Sequence, residues 1–200
     1  MKCSWFKIIM KFNKVKYGKK LTLHGVPIIY KNSGGYLSIG KNVTINSSFL
    51  SNLIGLYQRT IILARTDRSE IIIGDNVGIS GATIYARNSI KIGENTLVGG
   101  NAKILDNDFH PLEIEARNAD VKENIGTRPV VIGKNCFIGC NSIILKGTVL
   151  GDGCIVGAGS VVSGKFEDNC IIAGNPARVI KRNEKKEIYA NDMDLVGVNG

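Results

Sequence analysis

The 200-residue chain has two histidines, His24 and His110. Histidine is the side chain best poised to take a proton near neutral pH. His110 lies in the polar run "DNDFHP", flanked by Asp106 and Asp108. Either carboxylate can orient the imidazole or hold hydroxyls of a reactant through charge-assisted hydrogen bonds. Capping of the loop by Asp side chains is the structural alternative, and residue types alone leave these roles open. Glu113 and Arg117 are weaker candidates for contacts to the same reactant. His24 reads as a structural or rim residue. Cys136 and Cys140 form a C-x3-C with no second pair and no neighbouring His, so no zinc site is expected. Cys140 also lacks the adjacent base that would make it a nucleophile.

What must position His110 is a six-residue clock. Ile132, Ile138, Ile144, Leu150, Val156 and Val162 are six apart. Glycine follows most of them (Gly133, Gly139, Gly151, Gly157), with Leu145 as the exception. Three steps on stand Asn135, Asn141, Gly147, Gly153 and Gly159, types that tolerate left-handed backbone angles. Four steps on stand the small residues Cys136, Ser142, Thr148, Cys154 and Ser160. The clock also runs through Ile39 and Ile45, Ile73 and Ile79, and Ile92, Val98 and Ile104. A seven-residue step from Tyr85 to Ile92 implies one inserted residue. A period of six fits neither an isolated helix nor an amphipathic strand. It fits a short strand plus a corner, stacked coil on coil, with aliphatics inward and each coil hydrogen-bonded to the next. The expected fold class is all-β, a parallel β-helix. The clock stops after Ile104 and restarts at Ile132, leaving a polar interruption that contains His110; a long insertion in a regular stack is usually functional.

Composition narrows the classes. Twenty-four glycines against four prolines indicate tight turns joining hydrogen-bonded strands. The net charge of +9 suits nucleic acid, an anionic membrane or a phosphate-rich cofactor. No aromatic-rich basic module of the RNA-binding kind is present, so no nucleic-acid partner is expected. Five cysteines without metal or disulfide spacing point to a reduced, cytoplasmic chain. There is no signal-peptide pattern, and no apolar run near the ~18 residues a bilayer span needs.

The runs "PVVIGKNCFIGCNSIILKGTVLGDGCIVGAGSVVSGKF" and "IIAGNPARVIKR" resemble the hexapeptide-repeat acyltransferases, over about Gly34 to Arg182. "INSS", "ISGATIYA" and "DNDFHPL" resemble the capsule and lipopolysaccharide sugar O-acetyltransferases more than the lac- and maltose-type acetyltransferases. The resemblance implies a left-handed helix, opposite to the usual crossover rule, and a homotrimer with its sites between subunits. It implies acetyl-CoA as co-substrate, His110 as general base, direct attack without an acyl-enzyme, and no metal. It places Cys140, Gly157 and Ala158 beside the pantetheine arm, Ser163 and Lys165 on the next turn, and Arg178, Lys181 and Arg182 near the phosphates. Family members often carry Lys where Gly164 stands here.

The expected organisation is a basic N-terminal segment (1–33) capping the stack, a β-helix (34–182) with an extended loop at about 106–129, and a tail (183–200), with short helical segments at the ends. Trp5, Phe6, Ile8, Ile9 and Phe12 are expected to form the cap; peripheral contact with the inner face of an anionic membrane is the alternative use of that segment. The expected activity is acetyl transfer to a sugar hydroxyl in surface-polysaccharide synthesis. The alternatives are N-acetylation of an amino sugar or nucleotide-sugar, and a non-catalytic binding β-helix. The former usually needs an N-terminal nucleotide-binding domain, for which the stretch before Gly34 is too short.

Overall fold

The computed structural model describes residues 10–182. Within them the chain winds in coils of three short strands. The first coil runs β1 (Lys16–Tyr17), β2 (Thr22–Gly25) and β3 (Ile28–Lys31); the second, β4 (Tyr36–Ile39), β5 (Thr44–Ser47) and β6 (Ile61–Ala64). The third is β7 (Glu70–Ile73), β8 (Gly78–Ser80) and β9 (Thr83–Ala86); the fourth, β10 (Ser89–Ile92), β11 (Leu97–Val98) and β12 (Lys103–Leu105). After a long loop come β13 (Val130–Ile132), β14 (Phe137–Ile138) and β15 (Ile143–Ile144), then β16 (Val149–Leu150), β17 (Ile155–Val156) and β18 (Val161–Val162). The last turn has β19 (Lys165–Phe166), β20 (Cys170–Gly174) and β21 (Ala177–Arg182).

Every third strand pairs in parallel, giving three sheets: β1-β4-β7-β10-β13-β16-β19, β2-β5-β8-β11-β14-β17-β20-β21, and β18-β15-β12-β9-β6-β3. Only β21 is antiparallel, folded back on β20. The result is a left-handed parallel β-helix. Its core is the stack of inward aliphatics: Ile45, Ile79, Ile138 and Val156 line the second sheet's inner face, and Ile62, Ile84, Ile104 and Ile144 the third's, all fully buried. Each such side chain contributes about 1.5–3 kcal/mol. Corners are turned by left-handed residues, among them Asn135 (φ 55°), Asn141 (56°), Gly147 (77°), Gly153 (69°) and Gly159 (68°), as the hexads require.

Three expectations change. The stack begins at Lys16 rather than Gly34: Leu23 pairs with Ile45 and Ile29 with Ile62, so the first coil belongs to the same sheets. Tyr85 is not an inward clock position. Ile84 points inward, because the Ser80–Thr83 corner, with Gly81 at φ +54°, is one residue shorter than its counterparts, and Tyr85 is turned outward. Finally, Met10 and Val15 close the N-terminal end of the core while Phe12 is 83% exposed. Trp5, Phe6, Ile8, Ile9 and the tail 183–200 lie outside the described residues.

Candidate active site

Two insertions interrupt the coils, and both leave from edges of the third sheet. The longer one, between β12 and β13, carries His110. Its two ends are fastened together. The Arg128 N–H donates to the Asp106 carbonyl (2.9 Å), the Asp108 N–H to that of Gly126 (3.0 Å), and Asn107 bridges Thr127. Asp106 is fully buried, and its two oxygens accept the N–H groups of Arg87 (2.8 Å) and Asn88 (2.7 Å) from the preceding coil. Burial raises its pKa, and those N–H groups, the Asn107 amide and the Ser89 N–H offset part of the rise. Asp106 therefore rivets the loop to the stack and does not face His110 or a reactant.

The next residues set the imidazole. Phe109 has φ +64°, uncommon for a bulky side chain. The His110 N–H donates back to the Asp108 carbonyl (2.8 Å), closing a γ-turn, and the Phe109 N–H donates to Asn107 Oδ1 (2.9 Å). Strained backbone of this kind concentrates at functional sites. It is held by the Phe109 ring lying on Tyr85 (centroids 4.9 Å apart) and by an ion pair between Asp108 and Lys146, both largely covered. Gly126 packs beside that pair, where a Cβ would stand 2.5 Å from Asp108 Oδ2 and 2.8 Å from Lys146 Nζ. The His110 side chain is left exposed, with no hydrogen-bond partner among the described residues.

Arg117 does not reach outward: its guanidinium donates to the Pro111 and Leu112 carbonyls (3.2 and 2.8 Å), bracing the loop below the short helix α1 (Ile114–Asn118). Glu113 is exposed at that helix's N-cap, its side chain making no cap hydrogen bond.

On the outer face of the second sheet runs a groove of about 440 Å³. Gly99, Gly139 and Gly157 line it on three successive coils, and Leu97, Phe137 and Ile155 form one wall. A Cβ on Gly99 or Gly139 would meet the next coil's backbone at 2.5–2.6 Å, so the stack itself demands the glycines that bare the groove. Cys140 and Ala158 also line it, and no described residue accepts the backbone N–H of Gly100, Cys140 or Ala158. Such free amides suit an extended arm rich in carbonyls. Arg178 and Lys181 on β21, two strands beyond β17 in the same sheet, have no acidic partner among the described residues; Arg182 is paired with Glu167.

Ser163 and Lys165 do not line this groove in their own chain. They follow β18, on the same corner as the His110 loop, whereas the groove lies across the third sheet. Asp106 stands five residues on from the Asn101 corner, about 16 Å of extended chain. The expected site thus falls into two groups, Cys140, Gly157 and Ala158 on one edge and His110, Ser163 and Lys165 on the other. Sequence reasoning missed Lys146, which no hexad feature marks. It also missed the shorter insertion between β5 and β6, which puts Asn52 and Ile54 on the groove's rim. The gap between Ile45 and Ile62, filled by Phe49, Leu50, Leu53, Ile54 and Leu56 out of register, was the available signal.

Cys136, Cys154 and Cys170 are buried at one corner. The Cys136 thiol donates to the Gly151 carbonyl (3.2 Å), and burial pushes its pKa up to about 11, so it is inert packing. Among the described residues no group of three metal-ligating side chains occurs, and no helix is long and apolar enough to cross a membrane.

Residues 129–163 match the family model described as hexapeptide repeat of succinyl-transferase. A 24.8 kDa protein from the cps region of Klebsiella pneumoniae is 37% identical over 78% of this chain and 63% of its own length. A Staphylococcus haemolyticus protein classed by name among the acetyltransferases is 34% identical over 59% of this chain and 68% of its own. The polysialic acid O-acetyltransferase of Escherichia coli is 31% identical over 65% of this chain and 44% of its own. The chain thus spans under two thirds of the length of several curated relatives it matches. Among solved structures, an N-acyltransferase from Bacillus cereus, in complex with dTDP-4-amino-4,6-dideoxyglucose and coenzyme A, superposes with a TM-score of 0.68 at 23% identity, over 90% of this chain and 89% of that one.

Proposed function

Because the chain belongs to the hexapeptide-repeat acyltransferases, we propose that it moves an acetyl group from acetyl-CoA to a sugar hydroxyl in surface-polysaccharide synthesis, with His110 as general base. The observation that carries this is the exposed imidazole on a strained turn riveted to the stack. The groove supports the donor half. Arg178 and Lys181 suit the phosphates, the glycine floor suits the arm, and the free Cys140 N–H suits the oxyanion.

A sugar hydroxyl is a weak nucleophile at neutral pH. As its oxygen bonds to the thioester carbon, His110 takes the hydroxyl proton. The tetrahedral intermediate collapses with loss of the C–S bond, and the imidazolium returns the proton to the leaving thiolate, giving the ester and free CoA. Base and groove stand on different edges of one chain, so a second copy has to bring them together. Cyclic packing of the groove against a neighbour's His110 edge does so, and brings the neighbour's Ser163 and Lys165 to the same cleft. A homotrimer in the cytoplasm, where acetyl-CoA is at hand, is the assembly and place this reading implies; a membrane role for the basic N-terminus forms no part of it.

His110→Ala should lower kcat by ~10²–10⁴-fold with acetyl-CoA affinity unchanged, measured on a panel of sugars, amino sugars and oligosaccharides. Near-normal turnover in the variant removes His110 as base, and turnover confined to amino sugars replaces the hydroxyl acceptor with an amine.

A further inference from the structure

We propose that Ile54 and Asn52, in the insertion between β5 and β6, limit the acyl group the donor groove accepts to about the size of acetyl. The proposal rests on the donor reading above.

The groove has a direction. Its cationic end is β21, and from there it crosses β20, β17, β14 and β11 toward β8. On three coils its floor is glycine: Gly157, Gly139 and Gly99. On the next two coils the equivalent positions are Ser80 and Asn46, and the floor ends. Ser80 Oγ there accepts the side-chain amides of both Asn46 (3.1 Å) and Asn52 (3.1 Å). The Asn52 side-chain oxygen Oδ1 accepts the Ile54 N–H (3.1 Å), and Ile54 Cγ2 lies over Gly100, 2.8 Å from where a Cβ would stand.

This wall is fixed in place. Leu56 is buried beside Gly81 and Gly100, and Asn101 donates to the Gly55 carbonyl (2.9 Å) while accepting the Tyr57 N–H (3.3 Å). With phosphates at β21 and the thioester carbonyl at the Cys140 N–H, one strand spacing of ~4.8 Å separates the reacting carbon from the seat of Ile54. Apolar atoms in contact are about 4 Å apart, so a methyl fills that step. A longer chain must displace Ile54 or lie on two amides and a hydroxyl that offer it no apolar contact.

The test is calorimetric titration of the full chain with CoA, acetyl-CoA and butyryl-CoA, which needs no knowledge of the acceptor. The natural protein should bind butyryl-CoA at least about tenfold more weakly than acetyl-CoA. Ile54→Ala should close that gap, Asn52→Ala should narrow it, and Leu53→Ala, changing an exposed neighbour outside the groove, should leave it. Equal affinity for both thioesters, or a gap that survives Ile54→Ala, overturns the proposal while the donor reading stands. Failure of all three ligands to bind overturns both.

Discussion

Asp106 is a carboxylate shut away from bulk solvent. Both oxygens are occupied by backbone N–H groups, and the group is fully buried at the root of the His110 loop. Asp106→Asn would turn an amide NH2 toward an N–H that now has an acceptor, costing about 1–3 kcal/mol. The pH dependence has a definite sign. The folded-state pKa lies above the ordinary 3.8, so the folded protein binds this proton more readily than the unfolded chain. The group therefore adds stability as pH falls through the raised value toward 3.8, and none at neutral pH. Thermal melts should show the gap between the natural protein and Asp106→Asn widening from pH 7 downward; a gap that narrows contradicts this account. "DNDFHP" marked the neighbourhood, but type and spacing could not separate Asp106, which holds backbone, from Asp108, which holds Lys146. That distinction depends on which coil lies beneath each carboxylate.

At the scale of elements, the stack was legible because a hexad must repeat its chemistry. The inward Ile138 and Ile144 and the left-handed Asn135 and Asn141 were identifiable from the period alone. The first coil was not. Leu23 and Ile29 keep the six-residue spacing, but no glycine follows either: His24 is in register with Asn46 and Ser80, and Tyr30 with Leu63, Tyr85 and Leu105, so that coil lacks the aliphatic-glycine pair that marks the later ones. The His110 loop was visible as an interruption, while its fastening was not, since the Asp108–Lys146 pair joins residues 38 apart. That pair and Gly126 make the loop one rigid element. Gly126→Ala should push the carboxylate and ammonium apart and shift His110, lowering turnover about ten- to a hundredfold while the thermal midpoint moves by a few degrees at most, since the aliphatic core is untouched. A variant that melts much earlier would show that the loop carries global stability, contrary to this division.

At the scale of the whole molecule, His110 and the groove occupy separate edges, and the proposal that they act together across subunits can be tested by complementation. Ala158→Trp should fill the groove without touching the core, since Ala158 is exposed. Mixed with His110→Ala protein under conditions that exchange subunits, the two inactive parents should regain about a quarter of natural activity, the random chance that a sound groove meets a sound base in a cyclic trimer. No recovery would place both halves on one chain. The regularity of the winding has a consequence of another kind. Ile132 stands beside Leu150, eighteen residues on, so the body can be lengthened only by whole turns. A duplicated turn inserted between the β14 and β17 coils would lengthen the path from Arg178 to Gly100 by one fixed pitch of ~4.8 Å and leave every inward residue inward. An insertion of one residue within a strand would turn the following inward side chains out to solvent, whereas one at a corner bulges outward, as the segment between β5 and β6 does. The molecule is a scale marked in integers, and a donor of given length can be matched to it only by counting turns.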